Sequence, residues 1–203
     1  MVKYQQHGFD RYGVAAWEDC DDGDSIIGSS TSDADCDGVA TADDCDDNDP
    51  TIYPFAGDAY GDGIDSDCDG LDCEAESDGS TYYVACNDTI DWSSAESLCV
   101  SSGNDSLASV LTSSENTFLY NLINATTSSY TGYWIGLHDT VAEGDYVWSD
   151  GSAGSYFNWH ANEPDGSPSK NCVALLSNGG VNSMGWSDSE CSNQLQGFTC
   201  SRR

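Results

Sequence analysis

The chain has 203 residues, with 36 Asp and Glu against 5 Lys and Arg and a formal net charge of −31. Nucleic acid and anionic membrane surfaces repel such a chain, and no run of 18 apolar residues is present to insert into a bilayer. Ten cysteines in so acidic a chain point to an oxidising compartment, extracellular or at the cell surface; Met1-Val2-Lys3-Tyr4-Gln5-Gln6 carries no leader-like apolar core, so a mature form or a fragment is expected.

Residues 1–80 hold 23 acidic and 2 basic residues and only ten Leu, Ile, Val or Phe. Too little apolar surface is available there to offset chain entropy, whereas the remainder holds five of the six tryptophans and can build a core. The expected division is an N-terminal extended segment at 1–12, Asp-rich metal-binding repeats at 13–72 and a folded domain at 73–203. Gly13–Asp24 repeats as Gly38–Asp49, with eight of twelve positions identical. A second element recurs as Asp33-Ala-Asp35-Cys36-Asp37-Gly38 and Asp65-Ser-Asp67-Cys68-Asp69-Gly70.

Carboxylates at positions 1, 3 and 5 followed by Gly at 6 begin a calcium loop, in which the glycine permits the turn and the alternate acids converge on one ion. The expected ligands are Asp33, Asp35, Asp37 and the closing Asp44, and Asp65, Asp67, Asp69 and the closing Glu76. Asp44, Asp46 and Asn48 supply a further pattern. All are hard oxygen donors, which favours several Ca2+ ions over zinc or copper. A solvated acidic linker needs neither the alternation, nor the glycine, nor cysteines at equivalent places. Cys20 corresponds to Cys45 and Cys36 to Cys68, so pairing within units gives Cys20–Cys36 and Cys45–Cys68, other pairings staying open. On Asp43–Pro54 and Gly61–Gly70 this region resembles the aspartate-rich MopE-type repeats of bacterial surface proteins, and the resemblance implies a divalent-metal site.

Further along, Thr81–Ala85 is rich in strand formers. Asp91 caps a helix with Trp92, Ala95, Leu98 and Cys99 at helical spacing, and Thr112-Ser-Ser-Glu115 is a capping box ahead of Phe118, Leu119, Leu122 and Ile123. Between Tyr130 and Cys200 the chain turns to Gly, Asn, Asp and aromatics. The pattern is two helices followed by a loop-rich sheet, an α+β fold.

Asp91–Cys99, Tyr133-Trp134-Ile135-Gly136-Leu137, Tyr146-Val-Trp148, Asn158-Trp159, Glu163-Pro164-Asp165, Cys172-Val173, Trp186-Ser187-Asp188, Cys191 and Phe198-Thr199-Cys200 occur in the order of a C-type lectin-like domain, which the chain resembles from about Thr81 to Cys200. The resemblance implies a disulfide-bonded fold with an antiparallel sheet, pairs Cys99–Cys200 and Cys172–Cys191, and leaves Cys73–Cys86 as the extra hairpin bridge of the long form. It implies a calcium and sugar site at Glu163, Asp165 and Asp188, with Pro164 in cis. Two positions depart from the family pattern. Ser187 stands for Asn, and Lys170 for Glu. An ammonium cannot ligate calcium, so either the ion is held here or Lys170 pairs with these carboxylates in its place. Trp134, Trp148, Trp159 and Trp186 are expected in the core rather than as sugar platforms.

His7, His138 and His160 are the only histidines, and no serine lies in a nucleophile elbow, so no enzyme is expected. Asn87, Asn104 and Asn124 lie in glycosylation sequons. The function expected is an extracellular calcium-binding lectin-like protein, binding glycan or a surface protein from a calcium-stabilised acidic stalk. An alternative is a structural subunit that self-associates into an extracellular filament, with Val2–Gln6 adding as an edge strand. Metal storage by the repeats is a third reading.

Overall fold

The structure, a computed structural model, describes residues 33–59, 62–126, 131–177 and 184–203. Two compact units are bounded as Met1–Ala56 with Ser66–Cys68, and as Gly57–Asp65 with Asp69–Arg203. The 1–12 segment, the repeat at 13–28 and Cys20, with its expected bridge to Cys36, lie outside the described residues.

The described part of the first unit contains no helix or strand. Its backbone donors go instead to aspartate side chains two residues earlier. Asp37 N bonds Asp35 at 3.2 Å, Val39 N bonds Asp37 at 2.7 Å, Asp46 N bonds Asp44 at 3.0 Å and Thr51 N bonds Asp49 at 3.1 Å. These are Asx turns, which a short acidic side chain forms more readily than it enters a ladder. Cys45–Cys68 crosslinks the unit.

In the second unit, Asp91 accepts the N–H of Ser94 and opens α1, Trp92–Ser101, which buries Ala95 and Cys99 one turn apart. Helix α2, Ser113–Thr126, starts from the capping box: Glu115 N donates to Thr112 Oγ1 at 3.2 Å, and Thr112 N donates to Glu115 Oε2 at 2.9 Å. The strands are β1 (Glu74–Ser77), β2 (Tyr82–Cys86), β3 (Ser106–Leu107), β4 (Thr131–His138), β5 (Val147–Trp148), β6 (Cys172–Ser177), β7 (Trp186–Ser189) and β8 (Gly197–Arg202). They pair in the order β1-β2-β8-β4-β6-β7, with β3 on β8 and β5 on β4.

The sheet is mixed rather than wholly antiparallel. β8 enters between β2 and β4 and runs parallel to β4 through Tyr133↔Gly197 and Trp134↔Phe198. Alternation along the strands divides the core. Tyr133, Ile135, Leu137, Val173 and Leu175 pack with Leu119, Leu122 and Ile123 of α2. Trp134, Ala174, Val84 and Phe198 pack with Ala95 and Cys99 of α1. The sheet is therefore buried on both faces. Disulfides Cys73–Cys86, Cys99–Cys200 and Cys172–Cys191 tie the β1–β2 hairpin, α1 to β8, and β6 to the segment after β7.

Candidate functional site

The first expected ion loop brings Asp33, Asp35 and Asp37 together, each offering an oxygen within 4.8 Å of the others. Its turn is closed by Asp33, whose carboxylate accepts Cys36 N at 2.7 Å and Gly38 N at 3.1 Å. Cys36 and Gly38 both take positive φ, the glycine at 100°, where an L side chain is strained. Asp35 Oδ2, Asp37 Oδ2 and Asp44 Oδ2 are shielded from solvent and receive no donor. Burial, then the charges of Asp37, Asp44 and Asp33, push the Asp35 carboxyl upward against a lowering hydrogen bond from Asp37 N. The converging acceptors of Asp33, Asp35 and Asp37 fit a hard cation, and Asp44 is not among the oxygens that converge.

Asp65, Asp67 and Asp69 form the second such group in the same local fold. Asp65 accepts Asp69 N at 3.1 Å and Gly70 N at 3.0 Å, and Cys68 and Gly70 repeat the positive φ values of Cys36 and Gly38. Glu76, expected to close this loop, stands on β1 opposite Tyr83 because the β1–β2 hairpin claims the chain from Glu74 onward. Asp46 and Asn48 are exposed and contact each other at 3.5 Å outside either group.

The other candidate lies between β5 and β7. Asn162 takes φ 73°, the Glu163–Pro164 peptide is cis, and Gly166 takes φ 70°. Asp165 Oδ1 accepts Ser167 N at 3.2 Å, and Lys170 N closes a turn on Ser167 O at 2.8 Å. Pro168 occupies the second position of that turn, where its fixed φ suits. Trp186 and Asp188 alternate with half-buried neighbours on β7, so both turn inward, and Asp188 is only 3% exposed. Glu163 Oε2 and Asp188 Oδ2 are shielded and have no donor. Burial first, and then the Asp188 carboxylate, push the Glu163 carboxyl upward. Two carboxylates held this close are relieved by a shared proton or by a divalent cation.

Lys170 Nζ pairs with Asp165 Oδ2. That hydrogen bond leads the causes holding the Asp165 carboxyl below its ordinary range and the Lys170 ammonium above its own. Ser187 turns its hydroxyl to the Asp188 carbonyl oxygen at 3.2 Å.

Two polar groups escaped sequence reasoning. Asp139, 2% exposed, accepts Gly144 N with Oδ2 at 2.8 Å but leaves Oδ1 without a donor, and Asn171 Oδ1 is in the same condition. The charges of Asp139, Asp188, Glu143 and Glu163 all reinforce burial in raising the Tyr146 hydroxyl. The signal available beforehand was His138-Asp139 at a strand end. His138 instead packs edge-on against Trp92 at 5.2 Å.

Trp134, Trp148 and Trp186 are buried, and Trp159 is half-buried against Tyr146. The sequon asparagines spend their amides internally. Asn87 donates to Thr126 O at 2.9 Å, Asn104 to Ser102 Oγ at 3.2 Å and Asn124 to Tyr120 O at 2.6 Å.

Residues 88–202 match the family model described as Lectin C-type domain. Lithostathine of Rattus norvegicus is 34% identical over 122 residues, covering 60% of this chain and 72% of that protein. The galactose-specific lectin nattectin of Thalassophryne nattereri is 31% identical over 125 residues, covering 61% of this chain and 75% of that protein. The structure of a Ca2+-dependent type II antifreeze protein, in its Ca2+-free form, is similar with a TM-score of 0.56 and 26% identity, covering 64% of this chain and 97% of that one.

Proposed function

Because the chain belongs to the C-type lectin family, whose members act by binding and not by catalysis, we propose that it is an extracellular calcium-dependent lectin that holds glycan at the loop of Glu163, Asp165 and Asp188. The observation that carries this reading is the pair of shielded, donorless oxygens on Glu163 and Asp188. Calcium bound there supplies open coordination positions for two vicinal sugar hydroxyls. The chain's own part is to hold Asp188 on the rigid β7 strand and to present Glu163 and Asp165 from either side of the cis peptide. The half-buried Trp159 and the exposed Phe157, stacked in parallel at 6.3 Å, add an apolar surface near Tyr146. Nattectin's description as a galactose-specific lectin supports a sugar as the ligand class.

In the same reading residues 73–203 are the binding domain and 13–72 a calcium-stiffened stalk that displays it. The triads of Asp33, Asp35 and Asp37 and of Asp65, Asp67 and Asp69 support ions in the stalk. The filament alternative draws on the departures at Lys170 and Ser187 and on Val2–Gln6, and the latter lies outside the described residues.

A glycan array probed with the full chain tests the lectin reading. Binding is expected in millimolar calcium, lost in EGTA, and lost again in Asp188→Asn. Binding indifferent to both changes would remove the calcium site from the account.

A further inference from the structure

The Glu163 loop contains its own cation. Lysine occurs only at positions 3 and 170, and the second of them pairs with Asp165 of this loop. The Ser167–Lys170 turn brings the side chain back over Asp165, which Ser167 N holds from the other oxygen. The Lys170 side chain stays 33% exposed and takes the outermost acid, whose side chain is 41% exposed. The inner oxygens, Glu163 Oε2 and Asp188 Oδ2, remain without a donor. One monovalent charge thus holds the rim of a site whose interior acceptors it leaves unmet.

A divalent ion reaching those interior oxygens gains a third carboxylate only by drawing in Asp165 as well. Asp165 Oδ2 then faces two cations, and like charges at contact distance repel strongly. From this geometry, and resting on the reading of the loop as a calcium site, we infer that Lys170 is an internal competitor for calcium: its ammonium occupies Asp165 until the ion binds, and ion binding drives it into solvent. The exchange raises the calcium concentration at which the loop fills and couples filling to exposure of a new positive group beside the sugar.

The scarcity of lysine makes the exchange measurable. The intact, oxidised chain is acylated briefly with an amine-reactive ester at increasing calcium. Modification of Lys170 is read by peptide mass spectrometry against an added reference peptide, with Lys3 followed separately. Lys170 modification is expected to rise severalfold as calcium saturates the loop. The rise should vanish in Asp188→Asn, which keeps the Lys170–Asp165 pair but cripples the ion site. Glu163→Gln serves the same purpose if Asp188→Asn fails to fold. Lys170→Met, nearly isosteric and neutral, is expected to lower by about tenfold the calcium needed for glycan binding. If glycan binding depends on calcium while Lys170 reactivity stays flat, the competition is overturned and the lectin reading stands. If neither responds to calcium, both are overturned.

Discussion

Asp91 takes three hydrogen bonds, from Ser94 N at 3.0 Å, Ser93 Oγ at 2.8 Å and Ser94 Oγ at 2.9 Å. The Ser93 hydroxyl leads in pulling its carboxyl down to about 2. A carboxyl whose folded pKa lies below its unfolded value, ~3.9, stabilises the fold above that value and loses the contribution as pH falls through the folded one. Asp91→Ala is expected to cost about 1 kcal/mol near neutral pH, with the gap to the parent closing between about pH 4 and pH 2. Urea unfolding at several pH values checks this. A gap of constant size across that window would mean that the carboxylate charge is irrelevant to the cap. The cap was legible beforehand because its partners are local, as was the Thr112–Glu115 box. The Arg203 guanidinium was not. It reaches Glu115 at 2.9 Å, Ser109 O at 2.8 Å and Thr81 at 3.1 Å, contacts that cross most of the domain's sequence.

At the scale of elements, β8 decides the sheet. It lies between β2 and β4, and its first residue, Gly197, faces the Tyr133 ring so closely that a Cβ would meet that ring and come within 2.6 Å of Cys86 O. The backbone oxygen cannot yield, so Gly197→Ala should cost about 1–3 kcal/mol. The expected result is a lower urea midpoint with an unchanged slope, since the surface exposed on unfolding is the same. A midpoint matching the parent would show that β4 and β8 can part without loss. The two helices were readable from periodicity and caps, and β2 from the strand formers of Thr81–Ala85. The parallel β4–β8 pair was not, because nothing in the local pattern of either strand names a partner some 60 positions away.

Taken as a whole molecule, the chain uses two kinds of interior. The second unit buries Trp134, Trp186, Tyr133 and Phe198 on both sides of a sheet and crosslinks it, with Cys99–Cys200 closing a separation of 101 residues. A loop of that size restricts the unfolded chain by roughly 4–5 kcal/mol in the entropic account. In the first unit, Ala56 alone is a buried hydrophobic among the described residues, and the acids turn inward instead. Clustered carboxylates with shielded oxygens repel unless a cation stands between them. Dialysis into EDTA with the disulfides intact is therefore expected to abolish amide protection around 33–56 while protection of β2, β4 and β8 persists. Unaltered protection in 33–56 would show that turns and the Cys45–Cys68 bridge suffice without an ion.

The sequence by itself determined the chemistry of each half. Alternating acids with a glycine at the sixth place bring three carboxylates together locally, and helical spacing with caps specifies two helices. The ordered motifs from Asp91 to Cys200 carried the family. Those signals are legible because each lies within a few residues of its partner. Only the tertiary structure decided that Glu76 belongs to a strand, that β8 runs parallel to β4, and that Asp139 and Asn171 turn acceptors inward. It also decided which acid Lys170 holds. Burial and pairing between distant segments set these outcomes, and both depend on where the whole chain places a residue rather than on its neighbours.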